Sequence, residues 1–373
     1  MKSSLVPSPL VVAFTAALAL SASAFAVEIP YDYHVKMTPE TTIFGCFSAT
    51  KKPVLTVKSG ATVKIDGGGA AEWGREGGEA EANAWLKANN IPATTETCPA
   101  IKEIITALKE TPRMPGVPGG HFIVGPIYVE DAEPGDSLEI RILDVTPRLP
   151  YGAHGVRPGG SALPDLVPRP FNHVYQVDLK RNVAVFDKNI EVPLRPFNGV
   201  NATCPPDSEG PYRSSIPPGA FGGNLDWKDA TTGTTLYLPI FQKGALFYTG
   251  DCHAAQGDGE VAGNAIGNAN TVIYQFILHK GATLQGPRAE TPTHYVCFGL
   301  DTDLDVAMRK SLIEMTKFME EKKGLDFVHS MTLASACFDL HVTEVVDKVL
   351  GVYTQIPKKI FVNEPDSYWY RVR

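Results

Sequence analysis

The spacing of proline and glycine is the feature that most limits how this chain can fold. Thirty prolines and 34 glycines, spread over 373 residues, divide it into short apolar runs. Both residue types mark turns and loops, because proline lacks a backbone N–H and glycine tolerates unusual dihedral angles. Short apolar runs between turn residues are typical of β-strands, so the chain is predicted to be rich in β-structure.

Several apolar runs have the alternation or composition of strands. The predicted strands are two within residues 54–65 around a Ser59-Gly60 turn, a pair at 122–130 and 136–145 joined by a turn at 133–135, a hairpin at 174–179 and 183–186, and further strands within 235–247 and 271–278. So many short strands favour a β-sandwich or a barrel-like architecture.

Helical periodicity occurs in two regions. Residues 79–89 and 100–110 are predicted helices inside an insertion between strands, at about residues 70–118. Near the C-terminus, a helix is predicted over residues 303–322 with Asp303 as its N-cap, and another from about 333 to 350.

The predicted fold class is therefore α+β and β-rich. Residues 27–284 are expected to form a β-sandwich or barrel-like N-terminal part that contains the insertion. Residues 285–373 are expected to form a smaller α+β part of the same catalytic unit.

The first residues predict export. Lys2 supplies a positive charge, residues 10–20 form an apolar run, and Ala24-Phe25-Ala26 is a small-x-small cleavage site. Residues 1–26 are therefore predicted to be a signal peptide, and the mature protein to be periplasmic or secreted. The alternative is an uncleaved anchor. No later apolar run is long enough to span a membrane.

The charge balance excludes one class of partner. The formal net charge is −7 and the isoelectric point is about 5.8, whereas binding to nucleic acid requires a clustered basic surface. No nucleic-acid partner is expected, and a homo-oligomer is left open.

Six cysteines remain to be explained. An oxidising compartment permits disulfides, and Cys46 and Cys98 are plausible bridge members because both lie in loop-like segments. Cys297 and Cys337 have apolar surroundings and are expected to be buried thiols. The absence of a Cys-x-x-Cys pair argues against a cysteine zinc site.

Polar and acidic residues are concentrated in two glycine-rich stretches, Gly-Gly-Asn-Leu-Asp at 222–226 and Gly-Asp-Cys-His-Ala-Ala-Gln-Gly-Asp-Gly-Glu at 250–260. On an extended strand, Asp251 and His253 point to the same face and can share a divalent metal. The turn at residues 257–259 can return Glu260 beside them, where a carboxylate can act as a general base. The alternative is that Asp251 and His253 only bind loop backbone.

These two stretches closely resemble the signature segments of the acetamidase/formamidase family. The run at residues 233–239 and the Gly-Pro-Ile-Tyr-Val-Glu-Asp-Ala-Glu-Pro-Gly-Asp stretch at 125–136 extend the likeness. The resemblance implies an enzyme that hydrolyses the C–N bond of a small linear amide to a carboxylate and ammonia. Three features depart from the family pattern: the insertion, Cys252 in the motif and the export signal.

The resemblance implies a role for each site residue. Asp226, Asp251 and His253 would hold a divalent ion such as zinc, and Glu260 would accept the proton from the attacking water. His121 would stabilise the oxyanion, although an ordinary loop histidine is the alternative. Asn224 and Gln256 would bind substrate or brace the loops.

Two other functions are alternatives to metal-assisted amide hydrolysis. In one, Cys252 is a nucleophile paired with a histidine. In the other, the chain is a catalytically inactive exported protein that binds a small ligand on the same fold.

Overall fold

The computed structural model describes residues 29–69 and 71–363, which form 22 β-strands and four α-helices. The strands are β1 (Tyr33–Val35), β2 (Thr42–Phe44), β3 (Cys46–Phe47), β4 (Leu55–Val57), β5 (Thr62–Asp66), β6 (Phe122–Val129), β7 (Ser137–Pro147), β8 (Tyr151–Val156), β9 (Phe171–Asp178), β10 (Val183–Asp187), β11 (Ile190–Pro193), β12 (Phe197–Ala202), β13 (Arg213–Ser214), β14 (Gly222–Asn224), β15 (Thr235–Pro239), β16 (Phe247–Ala255), β17 (Ile266–Gly267), β18 (Asn270–His279), β19 (Arg288–Glu290), β20 (His294–Asp301), β21 (Asp339–Val342) and β22 (Leu350–Pro357). The helices are α1 (Glu79–Ala88), α2 (Pro99–Glu110), α3 (Leu304–Lys323) and α4 (Phe327–Cys337).

Two large sheets contain almost all of these strands. A nine-stranded sheet has the order β1-β5-β18-β7-β15-β19-β20-β22-β21. An eleven-stranded sheet has the order β11-β10-β9-β8-β17-β16-β12-β14, with β6 pairing to β16, β2 and β4. The strands that follow residue 285 extend the nine-stranded sheet.

One apolar core lies between the two sheets. Phe247 of β16 contacts Tyr274 and Phe276 of β18, with ring centroids 5.4 and 5.0 Å apart. Leu138 and Ile140 of β7 alternate toward this core and are fully buried. Large side chains from two facing sheets fill a shared interior, as in a β-sandwich. The predicted α+β, β-rich fold class is confirmed.

Strand pairing differs from the prediction at the turn after β6. Strands β6 and β7 exist, but they do not pair with each other. Strand β6 pairs with β2, β4 and β16, and β7 pairs with β15 and β18. Because both edges of each strand are occupied, residues 130–136 carry the chain from one sheet to the other. Similarly, β4 and β5 flank the predicted Ser59-Gly60 turn but enter different sheets.

The insertion folds as predicted into two helices. Proline occupies the first turn of α2, a position that requires no N–H donor. Leu86 of α1 and Ile101 and Ile104 of α2 are fully buried in the main core. The insertion is thus packed onto the sandwich rather than projecting from it.

Near the C-terminus, one predicted helix is correct and the other is wrong. Helix α3 begins after Asp303, whose carboxylate accepts from the Val306 N–H at 3.0 Å, and ends at Gly324 in a left-handed conformation. The predicted helix at about 333–350 is instead the end of α4, then β21 and a loop that leads to β22. Strand β21 pairs with β22, which in turn pairs with β20 along its full length, and this long-range pairing overrides the local periodicity.

The predicted participation of Cys46 and Cys98 in disulfides is also wrong, since all six cysteines are free thiols. Cys46 packs with Phe47 and Tyr248 in a separate apolar cluster, whereas Cys98 packs against the main core. Cys46 and Cys98 therefore pack in different apolar clusters and do not form a disulfide. Cys297 is buried as predicted, and Cys337 is half-buried.

The predicted signal peptide lies outside the described residues. None of the four helices that the structure describes combines the length and hydropathy of a membrane span.

Candidate active site

The signature residues meet where three antiparallel strands of the eleven-stranded sheet lie side by side. Strand β12 pairs with β14 on one side and with β16 on the other. Strand β16 carries Asp251 and His253, and Asp226 lies two residues beyond the end of β14. Their side chains converge over Gly199 of β12.

Gly199 is required by this convergence. A Cβ atom there would lie 2.3 Å from Asp226 Oδ1, 2.5 Å from Asp251 Oδ2 and 3.2 Å from His253 Cε1. Any side chain would therefore occupy the space between the two carboxylates and the imidazole. Sequence reasoning missed this residue, because its neighbours come from two other strands.

The imidazole of His253 lies among three carboxylates. Its Nδ1 is 3.7 Å from Asp226 Oδ1, and its Nε2 is 3.2 Å from Asp251 Oδ1 and 3.9 Å from Glu260 Oε1. His253 and Glu260 are buried, and the ring of Phe197 packs edge-on against the imidazole. The structure therefore brings together all four acidic and histidine residues of the predicted centre.

The loop that returns Glu260 is held by the segment after β21. The Gly259 N–H donates to the carbonyls of Val342 and Thr343 at 3.1 and 3.0 Å, and the Val345 N–H donates to the Gly259 carbonyl at 3.1 Å. These backbone bonds fix the turn next to Glu260.

All three acidic residues have left-handed backbones. The φ angles are 45° at Asp226, 55° at Asp251 and 43° at Glu260. Such values are uncommon outside glycine, and residues that adopt them are concentrated at functional sites. These backbone conformations direct the carboxylates of Asp226, Asp251 and Glu260 toward the centre of the site.

Two further acids were missed by sequence reasoning. Glu344 is fully buried and accepts from the N–H groups of Val346 and Asp347 at 2.8 and 3.0 Å. Asp347 accepts from Asn224 Nδ2 at 2.7 Å. The interpretation of this segment as helix concealed both, although the closely spaced acids of a Glu-Val-Val-Asp sequence are a signal in themselves.

This concentration of acids perturbs their protonation. Burial and the Glu260 and Asp251 carboxylates raise the pKa of Asp226, and burial together with Asp251 raises the pKa of Glu260. Burial raises the pKa of Glu344 to about 7. Asp251 is the exception: burial opposes its ionisation, but His253 and His121 hold the pKa of its carboxyl below the usual value.

Asp226, His253 and Glu260 form a candidate cation site. One ligand atom from each lies within 4.8 Å of the other two. Asp226 Oδ1 and His253 Nδ1 are buried and have no hydrogen-bond partner among the described residues. Orphaned buried polar atoms need an explanation, and a bound ion is one. The structure thus groups Glu260 with Asp226 and His253, while Asp251 contacts the imidazole.

His121 lies on the other side of Asp251, just before β6. Its Nε2 is 4.0 Å from Asp251 Oδ2, and its Nδ1 is 3.2 Å from the Ser215 carbonyl oxygen. The side chain lines a cavity of about 290 Å³ together with Asp251, His253 and residues at the start of the insertion. A second cavity, of about 580 Å³, has Glu260 and Gln256 in its wall.

Asn224 and Gln256 both brace the centre. The amide nitrogen of Asn224 donates to the carboxylates of Asp226 and Asp347. Gln256 Nε2 donates to the backbone carbonyl of Asp226 at 2.8 Å. The nitrogen of Asn224 thus braces the centre, while its Oδ1 has no hydrogen-bond partner among the described residues. Gln256 braces with its nitrogen, while its Oε1 has no hydrogen-bond partner among the described residues.

Cys252 also lines the smaller cavity, but it is not suited to be a nucleophile. It is buried, and burial raises the pKa of its thiol to about 12. A neutral thiol reacts poorly, because the thiolate is the nucleophilic form.

Comparison with known proteins shows which family the chain resembles. Residues 209–363 match the model of the Acetamidase/Formamidase family. A formamidase from Methylophilus methylotrophus is 26% identical over 319 residues, covering 65% of this chain and 77% of that protein. An acetamidase from Mycolicibacterium smegmatis is 27% identical over 199 residues, covering 38% of this chain and 49% of that protein.

Solved structures agree in fold. The crystal structure of an acetamidase from Bacillus halodurans, 27% identical, has a TM-score of 0.71 and covers 88% of this chain and 99% of its own. A γ-lactamase from Delftia acidovorans, 19% identical, shares the fold at a TM-score of 0.54, covering 90% of this chain and 95% of its own.

The two relatives are named as a formamidase and an acetamidase, which are hydrolases of carbon–nitrogen bonds in linear amides, in agreement with the predicted enzyme class. The resemblance to the acetamidase/formamidase family is confirmed by the same matches.

Proposed function

We propose that the chain hydrolyses small linear amides to a carboxylate and ammonia, at a centre in which Asp226, His253 and Glu260 hold a divalent cation. The observation that carries the proposal is the buried cluster itself. One ligand atom from each of these three residues lies within 4.8 Å of the others. Asp226 and His253 also converge over Gly199, and one buried polar atom of each has no hydrogen-bond partner among the described residues.

Charge is the first argument for a cation. Asp226, Glu260, Glu344 and Asp347 are packed together, and the pKa of each carboxyl is raised. Carboxylates buried side by side are costly unless protons or a cation offset them. A divalent ion among the three ligand residues would remove that cost.

The donor set is the second argument. Carboxylate oxygens with one imidazole nitrogen suit zinc and similar divalent ions, and catalytic sites of this kind supply three protein ligands. Bound there, such an ion would supply Lewis-acid polarisation of the amide carbonyl and of the attacking water.

Asp251 is proposed to orient the imidazole. It contacts His253 Nε2 at 3.2 Å, which leaves Nδ1 on the side of Asp226. A carboxylate that holds the second nitrogen of a ligand histidine fixes the ring and its tautomer.

Glu260 and His121 are proposed to act on the substrate. Glu260 is the ligand residue that also lines the larger cavity, and this cavity shares Asn264 and Ala265 with the smaller one, so Glu260 is proposed to accept the proton of the water and pass it to the leaving amine. His121 lines the smaller cavity beside Asp251. With Nδ1–H donating to the Ser215 carbonyl, the protonated form of the ring can donate from Nε2 to the carbonyl oxygen of the amide as negative charge develops on it.

The test is ammonia release from formamide, acetamide and larger amides, with bound metal measured by mass spectrometry on the same samples. We expect Glu260→Gln to reduce turnover by about 10²-fold or more, and chelation to abolish it. Glu320→Gln, the same change at an exposed position of α3, is the matched control and is expected to resemble wild type.

The outcomes separate the roles of Glu260. If the Glu260→Gln protein retains metal but loses turnover, the role of Glu260 is proton transfer. If the protein loses both metal and turnover, the main role of Glu260 is to bind the metal. Full turnover after exhaustive chelation would refute the metal. Folded, metal-loaded protein that releases no ammonia from any amide would favour the inactive binding protein instead.

Export stays a proposal based on residues 1–26. Expression of the full chain followed by cell fractionation tests it: we expect a product shortened to about Val27 in the periplasm or medium. Full-length protein retained in the cytoplasm would refute it.

A further inference from the structure

The insertion forms part of the wall of the smaller cavity. The cavity of about 290 Å³ is lined by Gly68, Gly69 and Glu72 on the insertion side and by His121, Asp251 and His253 on the catalytic side. Ligand sites for drug-sized molecules have volumes of roughly 300–1,000 Å³. This cavity therefore suits a small substrate, and the insertion supplies part of the wall that such a substrate contacts.

The insertion wall is firmly packed. Trp73, next to Glu72, packs edge-on against Trp85 of α1, with ring centroids 6.2 Å apart. Trp85 in turn packs on Tyr151 of β8 at 5.1 Å. Aromatic contacts of this kind hold their partners in defined positions. Glu72 therefore sits on a braced segment next to the cavity.

Glu72 is a carboxylate without a cationic partner among the described residues. Its one hydrogen bond among the described residues is weak, from Asn172 Nδ2 to Oε2 at 3.5 Å. It is partly buried, and burial raises the pKa of its carboxyl. A carboxylate in such a position is stabilised by any positive charge that enters the cavity.

The rest of the lining has a matching character. Among the described residues that line this cavity, none is lysine or arginine, and Asp251 adds a second carboxylate. The His253 imidazole is already in contact with Asp251. Of the two carboxylates among the described lining residues, Asp251 is in contact with His253, so Glu72 is the one available to receive a substrate ammonium.

Building on the proposed function, we propose that the substrate is a small amide that carries an ammonium group, and that Glu72 binds this group while the amide lies between His121 and the acid–histidine cluster. Glu72 is then a specificity residue supplied by the insertion, and amides that carry a carboxylate are rejected.

Two amides of nearly equal shape test this. β-Alaninamide has an ammonium group where butyramide has a methyl group. Wild type is expected to favour β-alaninamide in kcat/KM by about tenfold or more, as expected for a charge-assisted hydrogen bond in a partly buried site. Glu72→Gln is expected to reduce that ratio about tenfold, mainly through the KM for β-alaninamide.

The matched control is Glu76→Gln, the same change at an exposed position four residues along the insertion. It is expected to preserve the wild-type ratio. Equal kcat/KM for the two amides in wild type, or an unchanged ratio in Glu72→Gln, would overturn the inference. A merely structural role for Glu72 would lower kcat for both amides together and leave their ratio unchanged, which also overturns it.

Calorimetric binding of β-alaninamide separates this inference from the proposed function. Binding that is at least about tenfold weaker in Glu72→Gln, without turnover of any amide, would support the ammonium site and refute the hydrolase. Turnover of both amides without an ammonium preference would refute only the site. No detectable binding together with no turnover would refute both.

Discussion

Replacing Gly199 with alanine tests the geometry of the centre directly. The new methyl carbon would lie 2.3 Å from Asp226 Oδ1 and 2.5 Å from Asp251 Oδ2. Since comfortable non-bonded separations are about 3.5 Å, each carboxylate must move by about 1 Å. Displacements of this size at a reacting centre cost about 10²-fold in rate. We therefore expect Gly199→Ala to lower kcat/KM for a small amide about 100-fold.

The effect on stability is expected to be smaller. The two closest atoms are the ends of side chains, which can rotate away, rather than backbone. Overpacking typically costs about 1–3 kcal/mol, while loss of glycine's freedom in the unfolded chain returns about 0.4–1 kcal/mol. The net loss in the free energy of unfolding should be about 2.6 kcal/mol or less, so the variant should fold and can be assayed.

The assay is steady-state ammonia release, together with urea unfolding and metal content. Gly257→Ala is the matched control, because it lies in the signature loop and its Cβ would meet nothing within 4 Å. It should retain activity within about threefold. Wild-type kcat/KM in a folded Gly199→Ala protein would show that the acids and His253 do not act together over Gly199.

Three further predictions follow from individual residues. Cys252→Ala should keep activity within about threefold, because a buried thiol with its pKa raised to about 12 is not a nucleophile; a loss of several orders of magnitude in ammonia release would contradict this. Asn224→Ala should weaken metal affinity by about 10–100-fold, because the amide that braces Asp226 is lost; an unchanged affinity on titrating zinc into chelated protein would refute that role. The raised pKa of Glu344, about 7 against a usual 4.5, means that its contribution to stability is complete below pH 4.5 and is lost as the pH rises through 7. The loss should be about 3 kcal/mol, and Glu344→Gln should abolish it; urea unfolding of chelated protein at pH 5 and 8 checks this, and the same pH dependence in both proteins would count against it.

The candidate active site shows which features of the structure local sequence determines. Asp251, His253 and Glu260 lie within ten residues of one another, so strand alternation and one glycine turn suffice to bring them together. The same holds for α3, whose cap at Asp303 and stop at Gly324 are local signals. Wherever the determining interactions are short in sequence, the chain by itself specified the structure.

What the sequence did not determine depends on partners distant in the chain. Strand β21 was predicted to be helical because its pairing with β22, not its own periodicity, makes it a strand. That pairing in turn places Glu344 and Asp347 beside Asp226. Gly199 has significance only because β14 and β16 flank β12.

Glu72 lines the catalytic cavity only because the insertion packs on β8. The sequence thus determined the chemistry of the motif and the β-rich class. Tertiary packing alone determined the positions of Glu344 and Asp347, of Gly199 and of the cavity wall at Glu72. The reason is that burial and long-range strand pairing are properties of the whole fold.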